Sequence, residues 1–150
     1  MKRDDLRIKV EIDGGARGNP GPAGGGVVVR DAADGTILHE AGIFLGRATN
    51  NVAEYRSLLY ALKAAGDLAA AEVDVLSDSQ LLVRQMNGEY QVKNAGLKPL
   101  FEKAQMLAGR FRRVSIRHVR REENLHADRL ANQAINLKQD VQDAARNRPV

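Results

Sequence analysis

Four carboxylic acids in the sequence stand where their side chains could reach one shared site: Asp13, Glu54, Asp78 and Asp128. Asp13 and Asp78 each follow a short apolar run that is typical of a strand. The carboxyl ends of strands form the edge at which open α/β sheets place their sites. Glu54 and Asp128 fall in segments with helical periodicity, so helices packed near that edge would bring all four together.

Adjacent anions repel each other and raise one another's pKa values, so such a cluster needs cations. Mg²⁺ suits it, because this hard ion is usually held by a few carboxylates together with substrate phosphate. Two such ions about 4 Å apart can activate a water and stabilise the leaving oxygen of a phosphodiester. The cluster therefore indicates metal-dependent phosphodiester chemistry.

Each carboxylate, taken singly, also has an ordinary structural explanation. Asp13 precedes two glycines, where an Asp commonly begins a turn. Glu54 lies three residues after Asn51, a spacing close to that of a capping box. Asp78 stands where a helix N-cap is expected, and Asp128 could be one more solvated charge. Only the joint placement of the four favours a site.

The hydrophobic periodicity predicts the element order β-β-β-α-β-α-α-β-α, with the Gly/Pro-rich run 14–26 as a turn or a close-approach loop. This order indicates an α/β fold, in which an antiparallel meander is followed by strands that return through helical crossovers. Strands are predicted at 7–12, 27–30, 37–45, 73–77 and 114–119, and helices at 51–66, through Leu82 and Met86, at 97–108 and at 125–137.

Composition and charge limit the classes of molecule that the protein is expected to bind. The 150 residues suffice for one domain, cysteine is absent, and the net charge is +4 with a pI of about 9.6. Seven basic residues and no acid lie between Lys103 and Arg121, which fits either a polyanion-binding surface or a charged strand edge. Aromatic residues make up only 4%, which argues against a stacking platform for single strands. No signal peptide or membrane-spanning stretch is evident, so we expect a cytoplasmic protein.

Four segments resemble, in order and spacing, the signature segments of type 1 ribonuclease H: IDGGARGNPGPAGGGVVV, ATNNVAEYRSLLYAL, VLSDSQLLVRQMNG and REENLHADRLANQA. Together they cover most of residues 8–136. The resemblance implies a ribonuclease H fold, with a five-stranded mixed sheet flanked by helices. It further implies that Asp13, Glu54, Asp78 and Asp128 are catalytic and bind two Mg²⁺ ions, for which Mn²⁺ can substitute.

The implied substrate is an RNA–DNA hybrid, whose RNA strand is hydrolysed to leave 5′-phosphate and 3′-hydroxyl ends. Two sets of polar residues carry over as substrate contacts. Small polar side chains can recognise ribose 2′-hydroxyls in the minor groove, although turn and cap chemistry would also explain them. The minor-groove set is Asn19, Asn50, Asn51 and Gln80, and the set for a DNA-strand phosphate is Arg47, Thr49 and Asn124.

The sequence departs from the family pattern in two places. Residues 87–94 lead directly into the next helix, so the basic protrusion of many members is predicted to be missing. Residues 119–124 are too few for the loop that carries the family's catalytic histidine. His118 and His126 do not align with that histidine, and we expect both to be structural. Water, Arg120, Arg121 or Glu123 would then handle protons or product release.

The remaining expectations concern the whole chain. Residues 1–137 are predicted to form the ribonuclease H domain, and residues 138–150 a polar, flexible tail. We expect a monomer. Two rival functions stay open at this level: another nuclease of the same fold superfamily, and a non-catalytic module that binds hybrids. A binding module would gain nothing from four carboxylates that face phosphate, which argues against the second rival.

Overall fold

A five-stranded mixed sheet forms the centre of the protein, in a computed structural model that describes residues 5–141. The strand order is β3-β2-β1-β4-β5. The meander pairs antiparallel, whereas β4 lies parallel to β1 and β5 lies parallel to β4. This arrangement confirms the predicted fold class. The strands are β1 (Arg7–Ala16), β2 (Gly21–Asp31), β3 (Ile37–Ala48), β4 (Glu72–Ser77) and β5 (Arg113–His118).

Helices cover both faces of this sheet. One face packs against α1, which also contacts α3, and the other face packs against α4 over β1, β2 and β3. A short 3₁₀ turn, Arg121–Glu123, links β5 to α4. None of the helices within residues 5–141 is both long and apolar enough to cross a membrane. The helices are α1 (Asn50–Asp67), α2 (Gln80–Met86), α3 (Lys98–Ala108) and α4 (Leu125–Leu137).

The alternation of strand side chains divides the core between the two faces. Val27 and Val29 point into the large cluster under α1, while Val28, between them, packs against Ala127 and Leu130 of α4. All five residues are buried, and the valines of β2 are fully so. The inner strand β2 is therefore apolar on both sides, as a strand covered by helices on both faces must be.

The prediction of a turn or loop over residues 14–26 was wrong for most of its length. Strand β1 continues to Ala16 and β2 begins at Gly21, so only residues 17–20 connect the two strands. The pairing of Gly14 with Gly25 and of Asp13 with Gly26 continues the antiparallel ladder through the glycines. Glycine has no side chain to give an alternating pattern, and the strand was therefore invisible to periodicity.

The first residues of the predicted tail are part of the folded domain. The backbones of Gly42 and Val141 exchange two hydrogen bonds of 2.9 Å, and Asp140 Oδ1 accepts a hydrogen bond of 2.8 Å from the backbone N–H of Phe44. Both contacts hold Asp140 and Val141 against β3. The expectation of a flexible tail therefore concerns residues 142–150 only, which lie outside the described residues.

Candidate active site

Asp13 lies within β1, where the missing side chain of a neighbouring glycine brings α1 close. A Cβ atom on Gly14 would stand 2.5 Å from the carbonyl carbon of Ala53 and 2.6 Å from the backbone nitrogen of Glu54. Only glycine allows this contact between the strand and the helix backbone. The approach places Glu54 beside Asp13.

A second glycine brings α4 to the same point from the opposite face. Gly26 pairs with Asp13 across the β1–β2 ladder, and a Cβ atom there would overlap the carbonyl oxygen of Ala127. Asp128 follows Ala127 in the first turn of α4. Its carboxylate lies close to that of Asp13, whose pKa it helps to raise.

Asp78 arrives by strand pairing. Ser77 is the last residue of β4 and lies next to Ile12 of β1, so Asp78 follows beside Asp13. The cap of α2 is Ser79, whose hydroxyl accepts a 3.2 Å hydrogen bond from the backbone N–H of Leu82. The carboxylate of Asp78 is therefore not used as the helix cap.

The ordinary structural explanations fail for three of the four acids. Asp13 stands within a paired strand and begins no turn. Thr49, not Asn51, caps α1, with its hydroxyl 3.2 Å from the backbone nitrogen of Val52. Glu54 therefore lies beyond the positions of a capping box. Only Asp128 keeps a favourable place in the first turn of its helix.

The carboxylates of Asp13, Glu54 and Asp78 form a compact cluster, in which one oxygen from each lies within 4.8 Å of the others. Asp13 and Glu54 are both 7% exposed, while Asp78 and Asp128 are half-buried. Asp128 lies at the edge of this trio, in contact with Asp13. All four predicted acids thus converge at one place.

Burial and mutual repulsion raise the pKa values within the cluster. Burial, then the charge of Asp78, raises the pKa of Asp13 to about 8. Burial, then the charges of Asp13 and Asp78, raises the pKa of Glu54 well above its usual value. Burial also raises the pKa of Asp78, against the lowering effect of Arg121. The ionised cluster is thus unfavourable until a cation compensates its charge.

The donor set fits a hard divalent cation. Glu54 Oε2 is buried and has no hydrogen-bond partner among the described residues. A buried carboxylate oxygen without a partner carries a large desolvation cost, which a bound cation would remove. Three carboxylates without thiolate or imidazole also match the oxygen preference of Mg²⁺ and Mn²⁺.

The cluster forms the floor of an open cleft of about 520 Å³. Asn50 and Asn51, at the start of α1, line it, as two of the predicted minor-groove residues. Asn50 Oδ1 accepts a 2.7 Å hydrogen bond from the backbone N–H of Ala16, and the Asn50 backbone N–H donates to Asn19 Oδ1 at 3.0 Å. Asn19 therefore contacts the backbone of Asn50 and stabilises the N-terminus of α1. Gln80, exposed at the start of α2, does not line this cleft.

The three residues of the predicted phosphate pocket have separate local contacts. Thr49 caps α1, and Arg47 is exposed on β3. Asn124 is buried, and its side-chain N–H donates a 2.7 Å hydrogen bond to the carbonyl of Ile12 in β1. No hydrogen bond joins these three side chains within residues 5–141. The pocket stays a prediction.

Two cleft residues were missed by the sequence analysis. Arg17 follows the end of β1, and Asn132 lies on α4. Asn132 comes four residues after Asp128, so both lie on one face of the helix. That spacing could have identified Asn132, whereas Arg17 gave no periodic signal.

Among the residues proposed to replace the family's histidine, Arg121 lines the cleft. Arg120 and Glu123 pair with each other at 3.4 Å instead. His118 ends β5 with an exposed side chain, and His126 lies 3.3 Å from Glu40 Oε2. Neither histidine lines the cleft.

Two arginines of the basic stretch are neutralised on the sheet. Arg112 pairs with Glu72 at 2.8 Å, and Arg117 pairs with Asp74 at 3.1 Å. For these two the charged-strand-edge interpretation holds. Residues 87–97 join α2 to α3 without a further helix, and the absence of a basic protrusion stays a prediction.

Several known proteins resemble this chain in sequence and in fold over most of its length. The profile of the family described as "Reverse transcriptase-like" matches residues 11–134. The N-terminal RNase H domain of a Mycobacterium tuberculosis protein is 50% identical, with a TM-score of 0.86 over 89% of this chain and 96% of that one. RNase H1 of the archaeon Halobacterium salinarum is 42% identical, with a TM-score of 0.84 over 87% and 98%.

A third structure is that of LC11-RNase H1 in complex with an RNA/DNA hybrid. It is 43% identical, with a TM-score of 0.83 over 87% of this chain and 98% of that one. The chain spans 36% of the length of the full mycobacterial protein and 64% of the full Halobacterium ribonuclease HI. By its profile, its fold and its identity to these proteins, the chain belongs to the Reverse transcriptase-like family and, within it, to the type 1 ribonuclease H domains.

Proposed function

We propose that this chain hydrolyses the RNA strand of RNA–DNA hybrids in a reaction that depends on divalent cations. The observation that carries the proposal is the convergence of four carboxylates on one cleft, with a buried Glu54 oxygen that has no hydrogen-bond partner in the described part of the chain. Membership in the ribonuclease H family and the hybrid bound to LC11-RNase H1 support the choice of substrate. We further propose that the products carry 5′-phosphate and 3′-hydroxyl ends.

Asp13, Glu54, Asp78 and Asp128 would hold two Mg²⁺ ions, or Mn²⁺ in their place. When bound, such ions supply Lewis-acid activation of water and stabilise the leaving oxygen. The protein would fix the positions of these ligands. Asp13 lies in β1 and Asp78 directly follows β4, while α1 and α4 carry Glu54 and Asp128. Because burial and repulsion raise the pKa values of Asp13 and Glu54, the cluster without cations binds protons more readily than free carboxylates do, and cation binding would release them.

The neutral and basic cleft residues would position the hybrid. Asn50 and Asn51 present amide groups at the cleft, where they can donate to and accept from ribose 2′-hydroxyls. Arg121 lowers the pKa values of Asp13, Glu54 and Asp78 through its charge. We assign to Arg121 the stabilisation of negative charge that develops at the cleft, a role that a guanidinium fulfils without any change of protonation.

The experiment is cleavage of a hybrid with a labelled RNA strand in Mg²⁺, with EDTA as the control. A DNA duplex and an RNA duplex of the same sequence run in parallel. We expect cleavage of the hybrid alone, lost in EDTA and in Asp78→Asn. The RNA products should accept a 5′-label from polynucleotide kinase only after phosphatase treatment, which identifies 5′-phosphate ends. Cleavage of the DNA duplex at a comparable rate would favour the rival nuclease, and binding without cleavage would favour the hybrid-binding module.

We also propose that the active species is a monomer. All four carboxylates come from one chain, so the site needs no residue from a second copy. Sedimentation at the concentration of the cleavage assay tests this, and activity confined to a dimer would contradict it.

A further inference from the structure

Arg17 lines the cleft, and its backbone is held by a hydrogen bond. Its N–H donates a 2.9 Å hydrogen bond to the carbonyl of Pro22 across the β1–β2 connection. Its guanidinium Nη2 donates to Asn132 Oδ1 at 3.4 Å. The side chain is thereby directed along the cleft toward α4.

The amide of Asn132 is itself oriented. Its Nδ2 donates a 3.1 Å hydrogen bond to the carbonyl oxygen of Asp128, one helical turn earlier. This bond leaves Oδ1 as the acceptor that faces Arg17. The position of the guanidinium is therefore tied to the same helix turn that carries one of the proposed catalytic carboxylates.

The charge of Arg17 is available to a ligand. Within residues 5–141 it makes no salt bridge, and its one side-chain partner is the neutral Asn132. Other arginines in the same part of the chain are bound to carboxylates, among them Arg30, Arg112, Arg117 and Arg120. Both Arg17 and Asn132 line the cleft.

The position of Asn132 along α4 suits contact with a neighbouring nucleotide. Asn132 follows Asp128 by four residues, which is about 6 Å along the helix axis. Successive phosphates of one strand advance by about 3.4 Å along a duplex axis. Asn132, which holds Arg17, thus lies about two phosphate steps along the helix axis from Asp128, whereas Arg121 precedes the helix.

We propose that Arg17, held in place by Asn132, binds a phosphate of the RNA strand one or two nucleotides from the bond that is cut. The inference rests on the proposed function, since the strand that reaches the carboxylates is then the RNA strand. A guanidinium suits this task, because it forms paired hydrogen bonds to phosphate oxygens and stays charged. The strand must pass over an acidic floor, and Arg17 offsets that repulsion beside the cut site.

The test compares Arg17→Ala with Arg129→Ala, which removes the same charge from an exposed position of α4 outside the cleft. Hybrid cleavage in Mg²⁺ is measured from low to moderate salt. For Arg17→Ala we expect KM to rise roughly tenfold with kcat little changed, as for the loss of one charged hydrogen bond in binding. The slope of log kcat/KM against log salt should fall by about one unit. For Arg129→Ala we expect the slope of the parent.

Asn132→Ala separates the charge from its positioning. It keeps Arg17 and should therefore keep the salt slope, while KM rises by less than in Arg17→Ala. A scan with a single uncharged methylphosphonate linkage locates the contact. The parent should lose kcat/KM when the linkage lies one or two nucleotides from the cut site in the RNA strand, and Arg17→Ala should lose nothing further there.

An unchanged salt slope in Arg17→Ala, or an equal fall in Arg129→Ala, would overturn this inference while the proposed function stands. Sensitivity to methylphosphonates in the DNA strand alone would overturn the assignment to RNA. A parent protein that leaves the hybrid uncut would overturn the proposed function itself, and the inference with it.

Discussion

Asp13 interacts with each of the other three acids of the cluster. Asp78 and Asp128 help to raise its pKa, and its own charge helps to raise the pKa of Glu54. All four acids could be identified from the sequence by the family resemblance. Their proximity was predicted from the joint placement of the four acids at strand ends and on helices, although each acid taken singly also had a local explanation as a turn, a cap or a solvated charge. The pairing of β1 with β4 and the two glycine contacts decided between these explanations.

The first prediction concerns the stability of the protein without cations as pH changes. The pKa of Asp13 is about 8 in the folded state and near 3.9 in the unfolded state, so the folded state binds more protons between these values. Stability in EDTA should therefore fall as pH rises from about 4 to about 8. Asp13→Asn stays neutral, so its melting temperature should fall less over this range and exceed that of the parent at pH 8.

Melting temperatures by circular dichroism in EDTA, at pH 4.5 and pH 8, check this prediction. Glu102→Gln, an exposed acid of α3, serves as the control and should follow the parent. Mg²⁺ should raise the melting temperature of the parent at pH 8 more than that of Asp13→Asn, which should also lose hybrid cleavage. A variant that is less stable than the parent at pH 8 would contradict the electrostatic account.

The second prediction concerns His118, which lies shortly before the 3₁₀ turn that carries Arg121. His118 is exposed at the end of β5, so His118→Ala should leave both the melting temperature and the fold unchanged. A positioned general acid or base contributes about 10² to 10⁴-fold to a rate. We expect the cleavage rate of His118→Ala to stay within about tenfold of the parent. A hundredfold loss of rate at an unchanged melting temperature would make His118 the substitute for the family's histidine.

At the scale of elements, periodicity located every strand and helix but misplaced several ends. The α1 helix begins at Asn50 because Thr49 caps it, a choice that Thr49, Asn50 and Asn51 left open in the sequence. The largest error concerned the glycine-rich run 14–26, which was predicted to be a turn or loop although most of it is paired strand. Its glycines serve the contact of helices with the sheet, and that role depends on residues far away in sequence, such as Ala127. No local pattern encodes such a contact.

The third prediction tests whether this close packing positions the site. In Gly26→Ala the added methyl group would overlap the carbonyl of Ala127, so α4 must move away from β2 and take Asp128 with it. We expect a loss of about 1–3 kcal/mol in the free energy of unfolding, as for an overpacked core. Cleavage should fall as well, beyond what the unfolded fraction explains.

Gly66→Ala is the matched control, because a Cβ atom at Gly66 in α1 meets nothing within 4 Å. It should stabilise the protein by about 0.5–1 kcal/mol, the usual gain from Gly to Ala within a helix, with cleavage unchanged. Denaturant unfolding and cleavage rates of both variants check the pair. If Gly26→Ala were as stable and active as the parent, the position of α4 would not depend on this contact.

At the scale of the whole molecule, the net charge of +4 conceals an uneven distribution. The cleft floor is acidic, and two arginines of the basic stretch are neutralised by Glu72 and Asp74 on the sheet. The sequence showed the run of basic residues but not these partners, because the partners come from β4, about 40 residues earlier. The number of arginines available to a polyanion is therefore smaller than the sequence suggests.

The last prediction follows from this distribution and compares two arginines of equal charge. The slope of log affinity against log salt counts the phosphates that a protein neutralises. Arg47 is exposed on β3, and we expect it to contact a phosphate, so Arg47→Ala should lower the slope for hybrid binding by about one unit. Arg117 holds Asp74 with hydrogen bonds of 3.1 and 3.2 Å, so Arg117→Ala should leave the slope unchanged. Fluorescence anisotropy of a labelled hybrid at several salt concentrations, in an Asp78→Asn background that does not cut, measures both. Equal slopes for the two variants would mean that ion pairing on the sheet does not decide which arginines bind the hybrid.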